Sequence, residues 1–219
     1  MIVVIQCAAS KRPDAGHLRA ASGTPVSFVA KPHLAPAAAN QAYARPDDLS
    51  DTGPSWRELL LAYNKQPNVN PLRLLPAYQR YENRTYGRIV DQFGVSNVYI
   101  LSAGWGLIRA DFWTPYYDIT YSQSAEDYKR RRKSDQYSDF RMIPAQTDEE
   151  VVFFGGKDYV PLFASLTAAI RARKTVFYNA SQAPQAAGCK VQRFVTSTRT
   201  NWHYECANAL IEELCCPLL

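Results

Sequence analysis

Asp111 and Asp118 are carboxylates set among flat rings: Trp105, Phe112, Trp113, Tyr116, Tyr117 and Tyr121 crowd the same stretch, 97–121. Many rings with few charges is the composition of a pocket for a planar, polar ligand such as a nucleobase. If the ligand is a base in DNA, breaking its N-glycosidic bond passes through an oxocarbenium-like sugar. That chemistry needs an anion beside the sugar, a positioned water and donors to the departing base. Asp118 and Asp111 are candidates for the anion. Gln6 and Asn179 offer amides to a base edge or to the water. Trp105 and Tyr117, with Tyr116 beside them, offer stacking faces, because an enzyme working on a stacked base must first flip it out. Lys11 has two open roles: a phosphate contact, or an amine whose pKa burial lowers enough to form a Schiff base with an opened sugar. Ser10, Ser102 and Ser181, at strand ends, can bond phosphate together with backbone amides. Gly104 and Gly106 permit close backbone approach and positive φ, and Cys7 joins the same rim as a small buried side chain, not a nucleophile.

Plainer roles stand beside these. An Asp next to Tyr in a loop is commonly a turn former, and Trp105, Phe112 and Trp113 equally suit plugging the top of a sheet. The run Lys129, Arg130, Arg131, Arg132 and Lys133 reads as a helix face that is either solvated or, with Tyr128 and Tyr137 interleaved, laid along a nucleic-acid backbone. Gly155-Gly156 ahead of a helix lacks the rest of any phosphate-loop pattern and reads as a strand-to-helix turn. His17, His33 and His203 are far apart and no cysteine pair has CxxC spacing, so neither a metal nor another cofactor is expected.

The elements that must position these residues follow from periodicity. Apolar runs at Ile2–Gln6, 98–101, Val151–Phe154 and 175–178 read as buried strands, and 190–195 as a last strand. Each ends in a loop bearing polar or small residues, the edge at which open α/β sheets place ligands. Helical spacing marks 55–63, with Asp51 or Ser55 as cap, then about 72 or 76 to Phe93, closed by Gly94, then 124–141, a helix from near Asp158, and a last helix with Cys206, Leu210, Ile211 and Leu214 inward. Strands alternating with helices predict an α/β fold: a three-layer α/β/α arrangement around a mostly parallel, doubly wound sheet of about five strands. The whole chain, 1–219, forms one domain, and the Pro- and Ala-rich 17–70 region is an insertion or lid.

With 219 residues, 47% hydrophobic and 21% charged, the chain is long enough for a real core and ordinary enough not to be disordered. A net charge of +5 is compatible with a phosphate-rich partner without demanding one. Five cysteines, an odd number, fit reduced thiols and a cytoplasmic setting. The start MIVVIQCAAS lacks a basic n-region and reads as a first strand, and no stretch approaches a membrane span.

Three stretches in order, IVVIQCAASK, ILSAGWGLIRADFWTPYY and VFYNAS, together resemble the YaaA peroxide-stress family and its uncharacterised sister domains. The likeness covers about a third of the chain; Trp105 stands where those relatives carry Tyr, and Arg109 and Ala110 replace a Pro neighbourhood. It implies a DNA-binding protein that limits oxidative damage. The layout of strand, polar loop and late Asn-Ala-Ser is also similar to the uracil-DNA-glycosylase superfamily, in which the loop after the first strand holds the water-activating group and a late loop grips phosphate. Together these give the expected function: a metal-independent, glycosylase-like hydrolase that flips out and excises a damaged or modified base, such as those of phage genomes, as antiviral defence. The alternatives are a non-enzymatic DNA-binding stress protein, or an enzyme modifying tRNA bases or nucleosides, with RNA in place of DNA. The expectation leaves oligomeric state open.

Overall fold

Strands that are apolar without alternation need cover on both faces, and the central strands here have it. A computed structural model describes residues 1–66 and 69–215. Its elements in chain order are β1 (Ile2–Gln6), β2 (Leu18–Arg19), β3 (Pro25–Phe28), β4 (Ala42–Ala44), α1 (Trp56–Asn64), β5 (Leu75–Pro76), α2 (Thr85–Phe93), β6 (Val98–Ser102), β7 (Gly106–Arg109) and β8 (Trp113–Thr114). Then follow β9 (Phe140–Arg141), β10 (Val151–Phe154), α3 (Val160–Leu166), β11 (Lys174–Tyr178), β12 (Lys190–Arg193) and α4 (Trp202–Cys215). The fold is mixed α/β around a seven-stranded, mostly parallel sheet in the order β12-β11-β10-β1-β6-β7-β9.

β1 lies at the middle, with Val3, Val4 and Ile5 fully buried and parallel partners on both sides, Ile2 opposite Val151 and Val3 opposite Val98. From β1 the chain steps to β6 on one side and later resumes at β10 on the other, so the direction of winding reverses between β1 and β10. α2 packs on α4, β1 and β6; α4 reaches β10 and β11; α3 touches β7.

Three expectations change. The sheet has seven strands, not about five, because residues after β6 turn back at once as antiparallel β7, Ser102 opposite Gly106, and β9 adds to its edge. Gly106 (φ +85°) makes that turn possible, since a Cβ there would stand 2.6 Å from Asp139 Cβ and 2.7 Å from Phe140 N. The helix read from 72 or 76 begins only at Thr85, because Ala77 and Tyr78 give their N–H groups to Phe112 O and Ala110 O. The stretch 124–141 is not a helix: Thr120 and Arg131 exchange bonds with the chain across it, and Arg131 is drawn into the interior.

The 17–66 region carries three short strands and a helix. β2, β3 and β4 form a small sheet, and α1 starts at Ser55, whose hydroxyl accepts from Glu58 N while Glu58 accepts from Ser55 N. That reciprocal cap is the one the sequence offers. Phe28 packs edge-on against Trp56 and Trp105, and Arg57, buried, donates to Gly104 O and Trp105 O at 3.0 Å each and to Asp47 at 2.6 Å. Of the five cysteines, Cys7, Cys189, Cys206 and Cys215 are free thiols; Cys216 lies outside the described residues. Among the described residues no helix is long and apolar enough to cross a membrane.

Candidate functional site

Where winding reverses between adjacent parallel strands, the loops leaving them part and open a crevice at the strands' carboxyl ends. A cleft of about 660 Å3 occupies that place. Gln6 ends β1 on its floor, Ala8, Ala9 and Ser10 form one rim, Tyr121 and Tyr159 a wall, and the start of α4 with Arg199 the far side. Gln6 Oε1 accepts from Gly156 N at 2.6 Å, which fixes the amide plane. Its Nε2 stands 3.5 Å from His203 Nε2. An amide nitrogen only donates, so the His203 Nε2 accepts and the ring carries its proton on Nδ1. Burial pushes His203 down to about 4, keeping it neutral at ordinary pH. Amide and neutral imidazole side by side form an edge for a polar, uncharged ring. The backbone N–H groups of Ala8, Ala9 and Ser10 have no partner among the described residues, so the rim offers unspent donors.

Beneath the floor lies a web of hydroxyls. Tyr81 and Tyr117 share a hydrogen bond of 2.6 Å, Ser102 Oγ donates to Tyr117 at 3.0 Å, and Cys7 Sγ stands 3.1 Å from Tyr159 Oη. Burial raises the phenols of Tyr81, Tyr117 and Tyr159, so all stay protonated. This web absorbs several residues read as ligand contacts. Ser102 accepts from Gly104 N and Trp105 N and holds the hairpin turn, not a phosphate. Trp105 and Tyr117 are fully buried, as is the backbone of Gly104 against Tyr117 and Ile119, so neither ring presents a face to a base. The plainer role of plugging the sheet's top describes Trp105.

Of the four expected catalytic residues only Asp118 and Lys11 meet, away from the cleft. Asp118 lies 3.8 Å from Lys11 and 2.8 Å from Lys129, and faces a different cavity of about 340 Å3 with Tyr116. The Lys11 side chain is almost wholly buried, over the Tyr117 ring, and desolvation lowers its pKa. Asp111 pairs with Arg109 at 2.5 Å beside a third cavity, near Trp113. Asn179 donates to Thr198 O at 2.9 Å, tying the end of β11 to the loop that carries Arg199, and Ser181 is exposed nearby. Of the expected residues Gln6, Cys7 and Ser10 line the cleft, together with Tyr121 of the aromatic stretch.

The basic run is not a helix face. Arg131 is buried in a two-bond pair with Asp139 (2.9 and 2.6 Å) and donates to Ala103 O. Lys129 serves Asp118 and Glu126, and Arg130 serves Asp127. The run nevertheless borders a groove of about 550 Å3 with Arg130, Arg132 and Lys133, and that groove shares Tyr121 and Asp158 with the cleft. Arg132 is in no ion pair among the described residues, and Lys133 pairs with Asp158 at 3.0 Å.

Reading the sequence alone missed Asp158, Tyr159, Arg199 and His203. The signal for His203 was its place between Trp202 and Tyr204 where a strand-end loop enters a helix; the signal for Asp158 was its place just past a strand-ending Gly pair. Comparison with protein-family models, curated proteins and solved structures finds no match for this chain.

Proposed function

We propose that the protein acts on DNA, taking a flipped-out damaged or modified base into the cleft and hydrolysing its N-glycosidic bond without a metal. The observation that carries this reading is the continuity of a base-sized cleft with a basic groove through Tyr121 and Asp158. With phosphates along Arg132 and Lys133 and the base against Gln6 and His203, the sugar falls at the junction, beside Asp158. The carboxylate there supports the oxocarbenium-like sugar and takes the proton of the attacking water; the hydroxyl bonds to C1′, and the base leaves with its bonding pair and takes a proton from solvent, to which Asp158 in turn releases its own. The surface pair Lys133–Asp158 is worth only about 0–1 kcal/mol, so a phosphate that draws Lys133 away frees the carboxylate as the substrate arrives. Asp158 thus takes the role first given to Asp118.

Right-handed crossovers would set α2 and α4 on one face of the sheet and α3 on the other, the three-layer arrangement. On the same footing the 17–70 insertion serves as a lid, and the free thiols suit a cytoplasmic protein. The test uses labelled single- and double-stranded DNA carrying damaged or hypermodified bases, incubated with protein and then treated with alkali. Strand breaks that disappear in Asp158→Asn are expected. Tight binding with no breakage on any substrate would favour a DNA-binding protein of the YaaA type, and preferential competition by tRNA would shift the substrate to RNA.

A further inference from the structure

The cavity at Asp118 is built separately from the cleft. Asp118 N donates to Phe28 O at 2.8 Å and Lys31 N to Tyr128 O at 2.9 Å, so the small sheet is stitched to the 116–129 segment and the cavity lies between them. Its rings are paired: His17 stacks on Tyr116 with centroids 5.2 Å apart, and Tyr43 meets Tyr128 edge-on at 6.3 Å. The two charged side chains that line it, Lys129 and Asp118, pair at 2.8 Å. Ser27 lines it, almost fully buried, and its Oγ has no hydrogen-bond partner. A buried hydroxyl left in that state is destabilising until something bonds it.

From these features we infer that this cavity is a second site, for a neutral nucleobase. Its volume of about 340 Å3 falls within the rough 300–1,000 Å3 range of ligand cavities. Stacked and edge-on rings take the faces of a planar heterocycle. Asp118, Gln41 and Ser27 take its amino, amide and carbonyl groups, and the balanced charge disfavours a phosphorylated or cationic ligand. The base belongs either to a free nucleoside or to a nucleotide neighbouring the one in the cleft. The site does not depend on excision.

Calorimetric titration of the full chain with adenosine, guanosine, cytidine and uridine, and with a short single-stranded oligonucleotide, tests this. At least one nucleoside should bind saturably. Tyr43→Ala should weaken it about tenfold or more, and more than Gln6→Ala, in the cleft, does. Ser27→Ala should weaken binding severalfold without lowering the melting temperature, since it removes a hydroxyl that bonds nothing. Competition between nucleoside and oligonucleotide assigns the site to a base of the bound strand; simultaneous binding assigns it to a free nucleoside. Absence of saturable binding by all four nucleosides with oligonucleotide affinity unaltered in Tyr43→Ala, or binding lost in Gln6→Ala and kept in Tyr43→Ala, overturns the assignment.

Discussion

At the scale of single residues, buried cations and a buried imidazole decide more than the carboxylates that first draw the eye. Arg57 is the clearest case, because it closes three acceptors at once: Gly104 O, Trp105 O and Asp47. Arg57→Met should destabilise the protein by about 3–5 kcal/mol, the usual cost of leaving a buried charge partner unpaired. Arg109→Met, whose pair with Asp111 is exposed, should cost about 0–1 kcal/mol; chemical denaturation separates the two. His203 makes a pH prediction. Its folded pKa of about 4 lies below the ordinary 6.5, so the unfolded chain binds the proton more readily. Its contribution is fully present above pH 6.5 and is lost as pH falls toward 4, about 3 kcal/mol in all. His203→Asn should flatten the wild-type slope over that window, measured as unfolding free energy against pH; an unchanged slope would contradict the burial of a neutral ring.

Among the elements, what could be read in the sequence was local and what could not was long-range. β1, β6, β10 and β11 are legible within a residue or two because their apolar, β-branched and aromatic runs favour a buried strand, and β12, Lys190–Arg193, begins where the sequence places it. The cap at Ser55 is legible because its partner is three residues away. The stretch 77–84 carries helical spacing, yet Arg80 is fully buried and donates to Arg12 O, a contact nothing in its own window announces. The basic run fails as a helix for the same reason, since Asp139 and Ala103 pull Arg131 inward. The turn after β6 was read as a ligand loop; its glycines serve the hairpin instead. Gly106→Ala should therefore cost more than about 2 kcal/mol, strain at positive φ added to the clash with Phe140, and its thermal melting should show it.

Across the whole molecule, the reversal of winding places a cleft, and the basic run places a groove beside it. Of the residues singled out in the sequence, Gln6, Cys7 and Ser10 line the cleft at the end of β1, whereas Asp118 faces another cavity. Adjacency in sequence to aromatic residues did not report which side of the 116–121 segment each residue would face. If the groove holds a nucleic-acid backbone, Arg132→Ala should weaken binding of all sequences alike and lower the salt dependence by about one released counterion. The central claim is that Asp158 sits at the sugar of a base held by Gln6. The most direct measurement is alkali-revealed abasic-site formation in DNA bearing modified bases, compared among wild type, Asp158→Asn and Asp118→Asn. The account predicts breakage by wild type, a loss of a hundredfold or more in Asp158→Asn, on the scale of about 10²–10⁴ for a lost acid–base group, and breakage retained in Asp118→Asn. Full activity in Asp158→Asn with loss in Asp118→Asn would contradict it and return the chemistry to the other cavity.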